Sequence, residues 1–360
     1  MTERNGMRYG LLGLIVLSLL IALGLIVATQ SSPTSEPAAP SATAAPALES
    51  LAALDGRAPA RRVLDIQTWT TAEGAKVLFV AAPQLPMFDL RLTFAAGSSQ
   101  DGNVPGLAML TNAMLNEGIA GKDVGAIAEG FEGLGAHFGN GAYRDMAITS
   151  LRSLSQPDLR EPALDLFTTV ISAPTFPADS LARIKNQVLA GFEYQKQNPG
   201  KLAGIALFEA LYGKHPYAHS SDGNAQSIPA ITLEQLRAFH AKAYTANNAV
   251  IAVVGDLSRS EAEAISAKVS AALPKGPALA KTLQPEVPKP GSQHIEHPSK
   301  QTHLLLAQLG IDRNDPDYAA LYIGNQILGG GGFGTRLMEE VREKRGLTYG
   351  IYSGFSAMQA

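Results

Sequence analysis

The sequence predicts an α+β protein made of two similar halves that follow an N-terminal transmembrane helix. Three observations support this prediction. They are an uncharged apolar run near the N-terminus, an alternation of strand-like and helix-like segments, and a strand–turn–helix pattern that recurs about 210 residues later. The composition, with 46% hydrophobic and 17% charged residues among 360, is sufficient for two domains with hydrophobic cores.

Residues 10–28, "GLLGLIVLSLLIALGLIVA", form an uncharged apolar run long enough to cross a bilayer as a helix. Arg4 and Arg8 precede the run, and the next basic residue is Arg57. Because basic residues favour the cytoplasmic side, we expect residues 1–30 to be a single-pass anchor with its N-terminus in the cytoplasm. The folded part is then outside, in the periplasm if the source is a Gram-negative bacterium. A cleaved signal peptide is the alternative, although "IVATQSS" is a poor cleavage site.

The first folded domain is expected in residues 62–276. Before it, residues 31–61 are rich in Ala, Pro and Ser and predict a solvated linker without a core. Within the domain, strand patterns occur in "KVLFVAAP", "LRLTFAAG" and "NAVIAVVGDL", and helical patterns in "ADSLARIKNQVLAGFEYQKQ" and "TLEQLRAFHAKAY". Residues 104–118, "VPGLAMLTNAMLNEG", predict one amphipathic helix.

A Pro-rich segment, residues 277–292, predicts a linker to the second half, which begins near residue 293. "LRLTFAAGSSQDGNVPGLAMLTNAMLNEG" in the first half resembles "HLLLAQLGIDRNDPDYAALYIGNQILGGG" in the second. The landmark pairs are Gly97 with Gly310, Pro105 with Pro316, Gly118 with Gly331, and Gly135 with Gly346. By this period a complete second half would extend to about residue 500, so residues 293–360 predict only the beginning of a second domain.

Composition excludes several classes of function. The formal net charge is -3, the pI is about 6.2, and no Lys/Arg stripe interleaved with aromatic residues is present, so nucleic-acid binding is not expected. The lack of cysteine excludes disulfides, thiolate nucleophiles and cysteine zinc sites. Residues 329–334, "GGGGFG", fit the G-x-G-x-x-G pattern, but a helical pattern precedes them, so dinucleotide binding is not expected.

The histidines do not predict a metal site. The candidates are His137, His215, His219, His294, His297 and His303. In "HPYAH" the two rings are four residues apart, but Pro216 disfavours the helix that would bring them together. In "HIEH" the two histidines would point to opposite faces of a strand, and His137 is expected to be a strand residue near a turn.

Four motifs together resemble the M16 (pitrilysin/insulinase) family of zinc metallopeptidases. They are "PGLAMLTNAMLNEG", "ALYGKHPYAHSSDG", "AVIAVVGDL" and "ILGGGGFGTRLMEEVREKRGLTYGIYS". The last is the most specific, because Gly-rich loop, helix, "REKRGLTY" and strand follow one another in the family's order. The resemblance covers about residues 62–360 and implies two α+β sandwich halves of the M16 type, of which the second is incomplete here.

The resemblance also locates a zinc site whose residues have been replaced. Active members carry a His-x-x-Glu-His stretch on the helix that corresponds to residues 104–118, where two imidazoles bind zinc and the Glu polarises the attacking water. Those positions are Met109, Asn112 and Ala113 here, and the third ligand of the family falls at Gly191. A thioether suits softer metals, an amide takes no proton at neutral pH, and Ala and Gly offer no donor. We therefore expect no metal in this chain.

Arg342 and Tyr349, in "REKRGLTY", are the strongest candidates for a functional pair. The helix "TRLMEEVREKR" is expected to end at Gly346, and "LTYGIYSGF" alternates as a strand, so the corner between them can bring the two side chains together. By resemblance, such a pair holds substrate and stabilises the charge on the scissile carbonyl oxygen, a task that suits two donors that do not titrate near pH 7. The alternative is a last-turn cation at the helix dipole and a core tyrosine.

The resemblance also implies substrate recognition by the Gly-rich loop, which contains Gly329, Gly330, Gly331 and Gly332. A purely structural loop is the alternative. Together these features indicate the non-catalytic, substrate-binding subunit of a heterodimeric, bacterial-type M16B peptidase. Its partner is expected to carry the zinc on an intact motif, and this chain is expected to be inactive alone. The other interpretation is a membrane-tethered structural or scaffold protein without a peptidase role, whereas an autonomous zinc peptidase would need ligands that the sequence lacks.

Overall fold

The computed structural model describes residues 63–360, and in this part of the chain the main sheet has six strands. These strands are β1 (Gln67–Thr70), β2 (Lys76–Ala81), β3 (Met87–Phe94), β6 (His137–Ala142), β7 (Ala147–Leu154) and β8 (Ala249–Gly255). A separate two-stranded ribbon consists of β4 (Gly118–Ile119) and β5 (Lys122–Asp123). The three strands predicted in the first half are confirmed as β2, β3 and β8.

The spatial order of the sheet is β1-β2-β8-β3-β7-β6, so β8 is central although it is the last strand along the chain. Val253 of β8 lies opposite Phe79 in a parallel pairing with β2 and opposite Leu90 in an antiparallel pairing with β3. The outer strands are β1 and β6, and β6 pairs only with β7 within the described residues.

The described residues contain nine α-helices. They are α1 (Leu107–Ala113), α2 (Val124–Glu132), α3 (Pro157–Ser172), α4 (Ala178–Gln195), α5 (Pro199–Tyr212), α6 (Ser227–Ala230), α7 (Leu233–Ala243), α8 (Arg259–Ala272) and α9 (Tyr318–Asn325). Among them α1, α2, α3 and α8 pack against the sheet. Leu90 and Leu92 of β3 are fully buried beneath them, whereas Asp89 and Arg91 are exposed on the opposite face. This alternation is the period-2 pattern of a sheet with one covered face.

Side-chain caps determine where several helices begin. Thr232 and Gln235 form a reciprocal capping box at the start of α7, and Ser258 and Glu261 form another at the start of α8. Asp123 accepts a hydrogen bond from the first turn of α2. Each cap satisfies backbone N–H groups that have no partner within the helix, and the helices predicted at α4 and α7 are confirmed.

The helical part of the internal repeat is present in the structure. α1 begins two residues after Pro105, and α9 begins two residues after Pro316. Gly135 and Gly346 have φ angles of 63° and 62°, the left-handed conformation that favours glycine, and each follows a helical segment.

The strands predicted in the second half are not formed. The segments "HLLLAQLG", "HIEH" and "LTYGIYSGF" contain no strand, and Leu304 and Leu306 are 92% and 96% exposed. A strand requires a hydrogen-bonded neighbour, and within residues 293–360 no extended segment pairs with another. The alternating pattern was therefore not sufficient to predict strands here.

The predicted anchor and the Ala/Pro/Ser linker lie outside the described residues. Within residues 63–360, no helix is long and apolar enough to cross a membrane. Membrane anchoring and the location of the folded part stay predictions.

Candidate functional site

α1 carries three of the four positions at which the zinc ligands and the catalytic Glu of the family would lie. It spans only Leu107–Ala113, so the prediction of one helix over residues 104–118 was wrong at both ends. Gly106, with a φ of 93°, precedes the first turn. At the other end the amide of Leu115 donates to Asn112 O (3.2 Å), three residues back, so the backbone tightens into a turn.

Asp101 holds the N-terminus of α1. Its Oδ2 accepts from the Gly106 amide (2.8 Å) and its Oδ1 from the Ala108 amide (2.7 Å), while His219 Nε2 lies 3.2 Å from Oδ2. The carboxylate is fully buried, and this burial raises the pKa of Asp101. The three partners act in the opposite direction and lower the pKa, but burial is the larger effect. Asp101 was not among the residues predicted from sequence, because it lies five residues before the N-cap Gly106 rather than at a capping position.

Asn112, at the position of the catalytic Glu, belongs to the hydrophobic core. The residue is 2% exposed, and its Nδ2 donates to Ile148 O (3.2 Å) and to Tyr244 Oη (3.1 Å). Its backbone oxygen accepts from Asn140 Nδ2 (2.7 Å). Burial also raises the pKa of the Tyr244 phenol. The side chain of Asn112 thus connects α1 to β7 and α7, which is a structural task.

Met109 and Gly191, at two of the zinc-ligand positions, line one cleft. The cleft has a volume of about 440 Å³, and its other lining residues are Val188, Phe192, Tyr194, Gln195, Asn198, Lys201 and Asp222. Ala113, the remaining ligand position, packs against the core and is only partly buried. The structure therefore brings α1 and α4 together around one cleft. At the zinc-ligand positions that face it, α1 presents the Met109 thioether and α4 presents only the backbone of Gly191.

A second cleft, of about 510 Å³, adjoins the first. The residues that line both are Gln195, Asn198, Lys201 and Asp222. Arg144 lines only the second cleft, where its Nε donates to Tyr217 O (3.2 Å) and its guanidinium lies 3.8 Å from the centre of the Phe208 ring. Burial lowers the pKa of Arg144, but a guanidinium stays charged at any ordinary pH.

Comparison with known proteins gives the family of the chain. A family model described as Insulinase (Peptidase family M16) matches residues 76–223, and one described as Peptidase M16 inactive domain matches residues 230–359. A crystal structure of a peptidase M16 inactive domain from Pseudomonas fluorescens is 78% identical, with a TM-score of 0.81 over 82% of this chain and 72% of that one. The chain belongs to peptidase family M16.

Some relatives of this M16 chain are named as proteases, and one is named as a non-peptidase homologue. A protein named non-peptidase homolog YmxG from Helicobacter pylori is 29% identical over 278 residues, which are 76% of this chain and 63% of that protein. An uncharacterized zinc protease from Mycobacterium leprae is 26% identical over 82% of this chain and 66% of its own length. The M16 chain thus spans less than two thirds of each of these relatives. A protease structure from Helicobacter pylori, 18% identical over 83% of this chain and 73% of its own, has a TM-score of 0.68 and shares the fold.

The structure does not assemble Arg342 and Tyr349 of this M16 chain into a pair. The helical segment here, Met338–Glu343, ends three residues before Gly346. Gly346 nevertheless caps it, as predicted, because the amides of Gly346 and Leu347 donate back to Arg342 O (2.8 Å) and Val341 O (3.1 Å). No hydrogen bond joins the two candidate side chains within the described residues. The Arg342 side chain is 30% exposed and pairs with the neighbouring glutamate, whereas Tyr349 is 92% exposed. The alternative interpretation of Tyr349 as a core residue does not fit this exposure, and the function of the two residues stays a prediction.

The Gly-rich loop of this M16 chain is closely packed at its start. A Cβ added at Gly329 would lie 2.6 Å from Ser353 Oγ, and one at Gly330 would lie 2.6 Å from Asn325 Nδ2. Gly332 has a φ of 84°, which disfavours other residues. The local backbone requires glycine at Gly329 and Gly332, whereas side chains could move away from a Cβ at Gly330. The structural interpretation of the loop thus has direct support at two positions, and substrate recognition stays a prediction.

Several histidine rings of the M16 chain lie within hydrogen-bonding distance of protein oxygen atoms. His215 Nε2 lies 2.7 Å from a backbone oxygen, and His219 Nε2 lies 3.2 Å from a carboxylate. Both residues are in turns, and His294 and His297 are not in a strand, contrary to the predicted geometry. In residues 63–360 no three His, Asp or Glu side chains are grouped as a metal ion would require. The metal-free state of the chain is still a prediction.

Proposed function

We propose that this chain is the non-catalytic, substrate-binding subunit of a two-subunit M16 peptidase. One observation carries the proposal: Asn112 is bonded into the core, while Met109 and Gly191 line an open cleft. The family's zinc-ligand positions that line this cleft thus present no group that binds zinc. Such a protein is expected to contact substrate and to depend on a partner with an intact His-x-x-Glu-His motif for hydrolysis.

An exposed edge strand next to α1 supports peptide as the substrate class. β6 packs against α1 and has no strand on its outer side in the part of the chain that the structure describes. Its sequence, "HFGNGA", contains Gly139 and Gly141, which leave backbone groups accessible. An extended peptide can pair with such an edge through main-chain hydrogen bonds.

Arg342 and Tyr349 are proposed to act on the partner's zinc site. Their exposure is consistent with this role, because donors that serve a second subunit must be accessible before the pair forms. Arg345, in the same "REKRGLTY" segment, is a matched Arg control, and Tyr352, three residues after Tyr349, is a matched Tyr control; both are exposed. The proposal further includes an anchor in residues 1–30 that holds the folded part outside the cytoplasm.

The test is reconstitution with an M16 subunit that carries an intact zinc motif. The purified chain alone should contain no stoichiometric zinc by elemental analysis and should cleave no peptide, whereas the pair should hydrolyse peptides faster than the zinc subunit alone. Arg342→Ala and Tyr349→Phe should preserve the heterodimer, measured by light scattering, because neither change removes much apolar surface. Each should lower kcat by about 100-fold, the effect of losing one donor to a developing oxyanion.

The controls Arg345→Ala and Tyr352→Phe should leave kcat unchanged. An increase in KM alone would restrict the two candidate residues to substrate binding. Wild-type kcat/KM in both candidate variants would refute their catalytic role. A zinc subunit that is equally active with and without this chain would refute the subunit proposal and favour the membrane-tethered scaffold.

A further inference from the structure

Phe333, in the Gly-rich loop, packs against the guanidinium of Arg342. The Cζ atom of Arg342 lies over the Phe333 ring, 4.7 Å from its centre. A cation within about 6 Å of the centre of an aromatic ring is attracted to the electron-rich face of that ring. Phe333 is itself 70% exposed, so burial of its ring in a core does not explain the contact. The Gly-rich loop and the "REKRGLTY" segment, which are separate motifs in the sequence, thus meet at this stack.

A defined turn holds Phe333 in place. Gly332, just before it, has a left-handed φ of 84°. Thr335, two residues after it, is 2% exposed, and its Oγ1 donates to Gly332 O (2.9 Å). Hydroxyl groups of Thr stabilise turns through such local bonds. The ring is therefore presented to Arg342 by a turn that is fixed on both sides of it.

Arg342 lies on an unusual helical turn and has a weak charge partner. The amide of Lys344 donates to Glu339 O (2.9 Å), five residues back, which is the π-helical pattern. Such turns are rare and occur frequently at functional sites. Within residues 63–360 the only ion pair of Arg342 is with the adjacent Glu343 (3.0 Å), whose side chain is 58% exposed. Exposed ion pairs contribute little, so Glu343 alone gives the guanidinium little support.

A guanidinium that stacks on a ring keeps its hydrogen-bond donors. Its five N–H groups point outward in its own plane, whereas the ring covers only one face. We propose that Phe333 is a positioning residue that holds Arg342 by this face, so that its N–H groups stay available to the carbonyl oxygen of a substrate. The inference rests on the proposed function, in which Arg342 serves the partner's zinc site, and adds a residue to it. The competing role for Phe333 is direct contact with substrate.

The stack itself is tested on the full chain alone by NMR. The ring current of a phenylalanine shifts protons over its face upfield, so the Nε–H resonance of Arg342, assigned by its loss in Arg342→Lys, should lie upfield. Phe333→Leu, which keeps an apolar side chain but removes the ring, should move this resonance downfield, and Phe333→Tyr should restore it. Phe355→Leu is the matched control, because Phe355 is another exposed aromatic residue of the second half and packs against Tyr318 instead. The same Arg342 resonance in the wild type and in Phe333→Leu would overturn the proposal.

The consequence for catalysis is tested in the reconstituted pair with a zinc-bearing M16 subunit. Phe333→Leu should lower kcat by about 3–10-fold, the size expected for loss of one cation–π contact, with little change in KM. Phe333→Tyr should rescue kcat, and Phe355→Leu should not alter it. In an Arg342→Ala background, Phe333→Leu should cause no further loss, because a positioning residue acts only through the group that it positions. A further loss in that background, or an effect on KM alone, would assign Phe333 to direct substrate contact and overturn the proposal.

The outcomes separate this inference from the proposed function. If the ring shifts the Arg342 resonance but Arg342→Ala leaves kcat of the pair unchanged, the stack is retained and the role of Arg342 at the partner's site is refuted. If Arg342→Ala lowers kcat but Phe333→Leu changes neither the resonance nor kcat, the role of Arg342 is retained and this inference is refuted.

Discussion

Replacement of Asn112 by aspartate tests whether the position of the catalytic Glu has become structural. Asn112→Asp preserves the side-chain volume but removes the donor to Ile148 O, which then faces a carboxylate oxygen at about the present 3.2 Å. The new carboxylate is a buried charge without a cationic partner, held against the Ile148 carbonyl oxygen, so we expect a loss of about 3–5 kcal/mol at neutral pH. The contact with Tyr244 can be kept with its direction reversed, because the carboxylate oxygen that replaces Nδ2 accepts from the Tyr244 hydroxyl.

The assay is the free energy of unfolding from urea titration at pH 7 and again near pH 4. Burial raises the pKa of a carboxyl above its unfolded value, so the stability of the variant should be greater at low pH and should be lost as the pH rises through the folded pKa. The protonated group can donate to Ile148 O. Asn224→Asp is the control, because the Asn224 side chain only accepts hydrogen bonds, from the amides of Gln226 and Ser227. An aspartate can accept the same bonds, so this change should alter stability by less than about 0.5 kcal/mol. If Asn112→Asp lost no more unfolding free energy than the control Asn224→Asp, the reasoning would be refuted.

Two further predictions concern buried polar groups. Burial lowers the pKa of His240, whose Nε2 lies 2.8 Å from Ile171 O, so its contribution to stability is complete above the unfolded value of 6.5 and is lost as the pH falls through the lower folded pKa. In urea titrations at several pH values, the unfolding free energy of His240→Gln should fall less steeply with decreasing pH than that of the wild type. The same pH dependence in both proteins would contradict this. Asp101→Ala should cost about 2–4 kcal/mol because two buried amides of α1 lose their acceptor. Arg152→Ala, which breaks an exposed pair with Asp89, should cost much less stability than Asp101→Ala, and equal losses would refute this contrast.

The elements of the first half could be predicted from sequence because their patterns are local. β3 and β8 alternate with period 2, and α4 and α7 have long helical patterns with clear starts. The same reasoning was wrong for "LTYGIYSGF", because an alternating pattern forms a strand only where a neighbour completes its hydrogen bonds. The length of α1 was also overpredicted, since the residues around Gly106 and after Ala113 form turns.

The family and the loss of the zinc motif were determined by the sequence alone, because a residue without a donor cannot bind zinc in any fold. What the replaced positions do instead was decided by the tertiary structure. Asn112 is 132 residues from Tyr244 along the chain, and Met109 shares a cleft with Gly191 of another helix. The central place of β8 between β2 and β3 is likewise set by tertiary packing. Periodicity records which face of an element is buried, but it carries no information about which distant element buries it.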